Sequence, residues 1–294
     1  GLCLEGFKKE SSKPSQFGDT LPVFYPGNDA RYFIDVFITG SLPVAWKATS
    51  PEAWVKISKS SGTLTDNPGK KEERIWISVD WSKVTGKKRY GTITFTGGKK
   101  EFTVVISLAP LQFGNPDGFR EENKYISIFA DGFSRKKDTP DFFWQILEGF
   151  GYTGRVVMLS PAHAQSYNIT ENKNLQASLD YDFTTSSSGK LEVQVYCLPA
   201  HGLNATHSLR LALTIDGQNE QAIDFRTFDR SPTWKQNVLR NNAVIRATFV
   251  LPSSGNHTLT LRAMDPGIVV DRIVMDLGGL KPSYSAIPQT KKTK

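Results

Sequence analysis

Short segments that alternate apolar with polar residues, or that are rich in aromatic and β-branched residues, recur along the first part of this chain. No amphipathic helix pattern separates them, and such segments are typical of β-strands. They cover residues 31–38, 54–58, 74–80, 91–95 and 101–106. The last two flank Thr96-Gly97-Gly98-Lys99-Lys100, which is typical of a hairpin turn. We therefore predict an antiparallel, immunoglobulin-like β-sandwich over residues 20–110.

Residues 111–122 lose this pattern and collect turn residues, so we predict a linker there. Strand-like segments then resume and predict a larger β-sandwich of the jelly-roll type over residues 123–284. Ser231 followed by Pro232 is typical of a helix start and predicts one short helix over about residues 232–240. Residues 285–294 are expected to form a tail. The predicted fold class is all-β, with an immunoglobulin-like sandwich followed by a jelly-roll sandwich.

The net charge of +7 does not by itself indicate a nucleic-acid partner. Nucleic-acid binders concentrate basic side chains on one face with aromatic residues between them. Here the basic pairs lie in turn-like stretches next to glycine: Lys8-Lys9, Lys70-Lys71, Lys87-Lys88 and Lys99-Lys100. We expect no nucleic-acid partner. We also expect no transmembrane segment, because no apolar run approaches the roughly 20 residues that cross a bilayer.

No local motif for catalysis is present in the sequence. Cys3 and Cys197 are too few for a structural zinc site, which needs four ligands. There is no Gly-x-Ser-x-Gly elbow, no His-Glu-x-x-His and no phosphate-binding glycine loop. A glycosidase needs two facing carboxylates, and the spacing of the aspartates selects no pair. No local motif therefore marks a catalytic site in this sequence.

Aromatic residues in predicted loops of the second domain are the candidates for ligand binding. A sugar ring can stack its C–H face on an exposed aromatic ring while polar side chains bind its hydroxyl groups. Trp144, Tyr152 and Trp234 are the stacking candidates. The alternative for each of them is an ordinary position in the hydrophobic core.

Several motifs resemble the C-terminal region of glycoside hydrolase family 115. They are Phe24-Tyr25-Pro26 and the segments 31–37, 74–81, 264–270 and 278–284. The family contains α-1,2-glucuronidases that act on xylan, and its catalytic region lies upstream of this part. The resemblance therefore implies a non-catalytic fragment or a free-standing relative, with an extracellular or periplasmic location. The first domain also resembles small sandwiches of Bacteroidetes carbohydrate enzymes.

The second domain resembles carbohydrate-binding modules of families 6 and 35. Those modules commonly hold a structural calcium with a Glu-x-Glu near the first strand and an Asp near the last. Phe129-Ala130-Asp131 and Asp276 stand at these places, so the resemblance implies Asp131 and Asp276 as calcium ligands, with one carboxylate fewer than usual. Asp271 stands where the modules place a sugar-binding Asn before the last strand.

Three functions follow from these observations. The first is a region that binds glucuronoxylan-like polysaccharide near a catalytic partner, with Arg155 and Asp271 as polar contacts. Arg155 could pair with a uronate carboxylate through two hydrogen bonds. The second is a structural spacer that forms a homodimer without binding sugar. The third, an independent hydrolase, has the least support because the sequence contains no catalytic motif.

Overall fold

The structure is a computed structural model that describes residues 1–5, 19–26, 30–85, 87–109, 117–167, 176–202, 207–228, 230–281 and 287–293. The chain divides into two compact units. The first consists of Gly1–Gly114 with Lys281–Ala286, and the second of Asn115–Leu280 with Ile287–Lys294. In the part of the chain that is described, no helix is long and apolar enough to cross a membrane.

The first unit contains two sheets. Its strands are β1 (Leu2–Leu4), β2 (Asp19–Thr20), β3 (Tyr32–Phe37), β4 (Val44–Thr49), β5 (Val55–Ile57), β6 (Ser61–Leu64), β7 (Glu72–Val79), β8 (Tyr90–Gly97) and β9 (Lys100–Ser107). One sheet has the order β1-β3-β7-β5 and the other the order β2-β9-β8-β4-β6. Both contribute to one core, which includes the fully buried Ile34 and Ile75 of the first sheet and Ile93 and Val104 of the second. The strand alternation places these residues on the inner faces.

The second unit also consists of two sheets. Its elements are β10 (Gly118–Arg120), β11 (Tyr125–Phe129), β12 (Arg135–Lys137), β13 (Phe143–Phe150), β14 (Gly154–Ser160), β15 (Ser178–Thr185), β16 (Gly189–Cys197), β17 (Arg210–Ile215), β18 (Gln218–Asp224), α1 (Pro232–Leu239), β19 (Ala243–Leu251), β20 (Gly255–Ala263), β21 (Val269–Asp276) and β22 (Lys292–Thr293). One sheet has the order β18-β17-β20-β15-β10-β22, with β12 paired to β15. The other has the order β13-β14-β21-β16-β19, with β11 paired to β21.

Strand β15 shows how the sequence pattern builds this core. Leu179, Tyr181 and Phe183 are fully buried, whereas Asp180 and Asp182 between them are partly exposed. On the outer face, Arg135 donates hydrogen bonds to both aspartates. Period-two alternation therefore places one row of side chains in the core and the other on the surface.

The structure confirms the all-β prediction, and α1 lies where the sequence predicted a short helix. The described residues also include two 3-10 turns, at Trp81–Lys83 and Ala130–Gly132. Helix α1 begins after Ser231, whose Oγ accepts the backbone N–H of Trp234 at 3.1 Å. The immunoglobulin-like and jelly-roll assignments and the predicted domain limits stay predictions.

The predicted linker and the predicted tail both differ from the sequence-based expectation. Part of the predicted linker forms β10, and part of the predicted tail forms β22, which pairs with β10. The backbone N–H of Thr290 also donates to the carbonyl of Ser127 at 2.9 Å. Both strands are too short to show alternation, so only their pairing with distant strands reveals them. Residues 111–116, 285, 286 and 294 lie outside the described part of the chain.

Candidate functional site

An exposed tyrosine lies at the tip of the β13–β14 hairpin. The side chain of Tyr152 is 65% exposed. Its backbone N–H donates a 2.9 Å hydrogen bond to Oδ1 of Asp271, which belongs to β21. Gly151 has φ of 72°, and a Cβ there would collide with the Asp271 carboxylate. The glycine therefore lets the hairpin approach Asp271 closely, and the aspartate fixes the backbone under the exposed ring.

Asp271 itself is only 3% exposed. Its position coincides with an irregularity in strand pairing, since β16 and β21 shift register between Tyr196 and Cys197. Such irregularities commonly redirect a side chain. Burial raises the pKa of the Asp271 carboxyl, although backbone N–H groups of Tyr152 and Thr153 and the charge of Arg272 act in the opposite direction.

Arg272 is the cation beside this carboxylate. Its guanidinium carbon lies 5.2 Å from the ring centroid of Tyr152 and 4.3 Å from that of Tyr196. The residue is 8% exposed, and its Nε and Nη1 are buried without a hydrogen-bond partner in the described structure. Buried polar atoms are nearly always hydrogen-bonded, so this guanidinium is unusual. Its positive charge is held between two tyrosine rings.

A row of polar side chains continues from Tyr196 along β16. The Tyr196 hydroxyl donates to Oε1 of Gln194 at 2.9 Å, and Nε2 of Gln194 donates to Oε1 of Glu192 at 2.9 Å. Arg246 on β19 completes the row, with its Nε 3.2 Å from the same Glu192 oxygen. These residues alternate with the buried Val193 and Val195, so the row lies on the outer face of the sheet.

The structure brings together two of the predicted site residues, Tyr152 and Asp271. It adds Arg272 and Tyr196, which sequence reasoning missed. Tyr196 lies in a segment whose pattern predicts an ordinary strand, and Arg272 follows Asp271 in another such segment. No local signal marks either residue, because they meet Tyr152 only through the pairing of distant strands.

Trp144 is not accessible to a ligand in this structure. It lies in β13, not in a loop as expected, and its side chain packs in the core with 3% exposure. Its exposed neighbour Phe143 points to the opposite side of the strand, as alternation requires. A buried ring has no free face on which a sugar could stack. The prediction of Trp144 as a stacking residue is therefore corrected.

Trp234 and Arg155 have other partners. Trp234, in α1, stacks on the His201 ring at 6.0 Å and donates from Nε1 to Nε2 of His201 at 2.7 Å. Arg155 lies with its Nε 3.0 Å from Asp131 and 3.5 Å from Glu148. In the described structure, neither side chain contacts the Tyr152 cluster. The positive charge of Arg155 is already compensated by two carboxylates.

The two aspartates expected to bind calcium cannot share one ion. In the β11–β21 pair, Tyr125 lies opposite Asp276 and Phe129 opposite Arg272, so Asp131 follows the far end of β11. Four residues of strand separate these ends by about 14 Å. Ligands of one calcium ion lie only about 2.3–2.6 Å from it. The prediction of Asp131 and Asp276 as joint ligands is therefore wrong.

Each of these aspartates has a different structural role. Oδ1 of Asp276 accepts the backbone N–H groups of Gly278, Gly279 and Leu280 at 2.8–3.0 Å, whereas Asp131 pairs with Arg155. Within the described residues, no group of three or more His, Cys, Asp or Glu side chains could hold a metal ion. The residues present do not fit the implied calcium site.

A separate polar cleft of about 450 Å³ lies elsewhere in the second unit. Asp141, His163, Gln165 and Tyr167 line it. The Tyr167 hydroxyl donates to Oδ2 of Asp141 at 3.0 Å, and its ring packs against Phe142. The cleft contains none of the predicted site residues.

Comparison with protein families gives two matches. Residues 118–289 match the model of the glycosyl hydrolase family 115 C-terminal domain. Residues 33–109 match the model of the viral BACON domain. No curated protein matches this chain.

Several solved structures are similar to parts of the chain. A family GH115 4-O-methyl-α-glucuronidase with specificity for decorated arabinogalactans is 23% identical, with a TM-score of 0.37 over 49% of this chain. The match spans only 17% of that enzyme. The C-terminal family 6 carbohydrate-binding module of a laminarinase from Zobellia galactanivorans is 13% identical, with a TM-score of 0.34 over 52% of this chain and 98% of the module. A family 35 module from Clostridium thermocellum is 14% identical, with a TM-score of 0.35 over 51% of this chain and 96% of the module.

The family match confirms, for residues 118–289, the resemblance inferred from the sequence motifs, including those at 264–270 and 278–284. It falls on the C-terminal domain of these hydrolases and not on their catalytic domain. Because it covers residues 118–289 of a 294-residue sequence, which is more than half, the chain belongs to the glycosyl hydrolase family 115 C-terminal domain family.

Proposed function

We propose that this chain is a non-catalytic accessory region that binds glucuronoxylan-type polysaccharide for a xylan α-glucuronidase-like hydrolase. The observation that carries the proposal is the cluster of Tyr152, Asp271 and Arg272. It combines an exposed aromatic ring with a fixed backbone and a buried cation. The role implies an extracellular or periplasmic location, where such a polysaccharide is found.

Tyr152 supplies the stacking surface in this proposal. Its ring is the exposed part of the cluster, and a pyranose could place its C–H face against it. The hydrogen bond from the Tyr152 backbone to Asp271 holds the hairpin before the ligand arrives. A preorganised site loses less conformational entropy on binding than a flexible loop does.

Arg272 supplies the preference for an acidic sugar. A uronate differs from a neutral sugar by its carboxylate, and the guanidinium beside Tyr152 attracts that negative charge. Arg155, the residue expected for this role, is paired with two carboxylates, Asp131 and Glu148. Arg272 has one neighbouring carboxylate, Asp271, and its Nε and Nη1 have no hydrogen-bond partner in the described structure. We therefore assign the electrostatic role to Arg272, with one sugar-binding site of about millimolar to micromolar affinity. Such a site would raise the local concentration of polymer near a catalytic partner.

Isothermal calorimetry of the whole chain against glucuronoxylan, unsubstituted xylan and pectin tests the proposal. We expect binding to glucuronoxylan, and binding about 10-fold weaker in Tyr152→Ala. Tyr90→Ala is the matched control, because Tyr90 is a 62% exposed tyrosine of the first unit that also lies near a cation, Lys88. Arg272→Met should reduce the preference for glucuronoxylan over unsubstituted xylan while keeping a side chain of similar length.

Two results would contradict the proposal. Absence of binding to all three polysaccharides by the folded wild-type chain would refute the function. Unchanged affinity in Tyr152→Ala together with loss of binding in His163→Ala would refute the placement, because His163 lines the other cleft.

An exposed apolar surface around α1 favours a second candidate, the spacer that forms a homodimer. Phe228, Val238 and Leu239 are large apolar side chains that are exposed there. Exposed apolar side chains mark a protein interface when they form one patch, which gives this candidate its support. Light scattering of the wild-type chain and of Leu239→Asp tests this candidate. A dimer that dissociates in the variant would support it, and a wild-type monomer at high concentration would exclude it.

A further inference from the structure

The first unit contains a cavity that the proposed function does not use. It has a volume of about 540 Å³ and is bounded by residues of both sheets. Its apolar lining includes Phe37, Ile38, Val44, Trp46, Phe95 and Phe102. Small-molecule sites in proteins have volumes of about 300–1,000 Å³ and mainly apolar walls. The cavity therefore has the size and lining of a ligand site.

The connection between β3 and β4 explains why these apolar groups remain accessible. It contains Thr39, Gly40 and Ser41, which are small and exposed, followed by Leu42, which lines the cavity with 78% of its surface exposed. Residues of this size do not cover the opening between the sheets. Phe37, Ile38 and Val44 are consequently only half-buried. An apolar ligand that covered them would remove water from these surfaces, which is favourable.

The charged side chains at this cavity are both cationic. They are Lys99 and Lys100, at the tip of the β8–β9 hairpin. Gly98, with φ of 60°, forms the turn, and Lys100 pairs with Gly97, so the hairpin fixes the backbone of both lysines at the cavity. Among the described lining residues there is no Asp or Glu. An anionic group at the opening would therefore meet attraction without a competing carboxylate.

From this combination we infer that the first unit binds an amphipathic acid. Its single alkyl chain occupies the apolar cavity, and its carboxylate lies at Lys99 and Lys100. All lining residues belong to the first unit, so the inference is independent of polysaccharide binding in the second unit. The ligand class is a free alkyl carboxylate, not a membrane lipid.

Calorimetric titration of the whole chain with octanoate, decanoate and dodecanoate below their micelle concentrations tests this inference. Burial of each additional methylene should tighten binding by about 4-fold. The alcohols of the same chain lengths should bind more weakly, because they lack the charge. Val44→Trp should weaken binding of acids and alcohols alike by more than 10-fold, since the larger side chain fills the cavity.

A lysine variant tests the placement of the carboxylate and does not alter the core. In Lys99→Gln/Lys100→Gln, the affinity for the acid should fall several-fold towards that for the alcohol, and the alcohol should bind as before. Lys70→Gln/Lys87→Gln removes two exposed lysines that do not line the cavity and should change neither affinity.

Three outcomes would overturn the inference. In the first, the folded wild-type protein does not bind dodecanoate. In the second, the affinity does not depend on the length of the alkyl chain. In the third, Val44→Trp has an unchanged melting temperature and binds the acids as tightly as the wild type. Binding to phosphatidylglycerol vesicles without binding to any free acid would refute the ligand class. If Val44→Trp does not fold, the lysine pair and its control decide the result.

Discussion

Substitution of Asp271 by alanine should destabilise the second unit and release the hairpin that carries Tyr152. The carboxylate is 3% exposed and accepts the backbone N–H of Tyr152 at 2.9 Å and that of Thr153. Alanine removes the carboxylate that accepts both N–H groups. It also leaves the Arg272 guanidinium without its neighbouring negative charge. A hydrogen bond to a charged group contributes about 1.5–3 kcal/mol to the free energy of unfolding. In the alanine variant, water can partly reach the freed N–H groups, and this reduces the loss of stability. We therefore expect a loss of about 2–4 kcal/mol in the free energy of unfolding.

Asparagine at this position should behave differently. Its side-chain oxygen can still accept the N–H of Tyr152, and it carries no charge that burial would penalise. Burial raises the pKa of Asp271, so the folded state favours the protonated carboxyl more than the unfolded state does. Wild-type stability should then decrease as pH rises through this raised pKa, because the unfolded state has already released its proton. In Asp271→Asn this decrease with pH should be absent. At neutral pH the free energy of unfolding of this variant should lie less than about 1 kcal/mol below that of the wild type.

Urea unfolding of the wild type and both variants between pH 4 and 8 measures these differences. The two units can unfold in separate transitions, so the transition of the second unit must be followed on its own. Equal losses in the alanine and asparagine variants would refute the reasoning, because they would show that the charge and not the acceptor stabilises the hairpin. A loss below about 0.5 kcal/mol in the alanine variant would show that the hairpin does not depend on Asp271.

Three further predictions concern other parts of the second unit. Ser231→Ala removes the N-cap of α1 and should lower the free energy of unfolding by about 1 kcal/mol in urea denaturation. In Arg135→Met, NMR titration should show a higher pKa for Asp182 than in the wild type. Partial burial raises the pKa of this carboxyl, but two hydrogen bonds from Arg135 lower it below its usual value in the wild type. Addition of calcium or of EDTA should leave the melting temperature unchanged, because Asp131 and Asp276 are too far apart to bind one ion. A calcium-dependent increase of several degrees would contradict this reasoning.

The sequence was sufficient to predict the fold class and several local structures. Strand alternation is a property of neighbouring residues, and in β15 it correctly separates buried Leu179 from partly exposed Asp180. The start of α1 also depends only on adjacent residues, because Ser231 caps an N–H three positions later. Such features depend only on neighbouring residues, so they can be predicted from one sequence. The sequence placed Tyr152 in a predicted loop but left open whether its ring was exposed or buried, and the structure shows the side chain 65% exposed.

Only the tertiary structure decided which of the predicted site residues come together. Tyr152 and Asp271 are 119 residues apart, and they meet because β14 pairs with β21. The same pairing brings Arg272 to Tyr152, whereas the register of β11 on β21 separates Asp131 from Asp276. Register depends on the packing of whole sheets, and a shift of one residue would reverse the faces on which side chains lie. Local residue patterns therefore determined many of the longer strands, but the pairing between distant strands determined β10, β22 and the site.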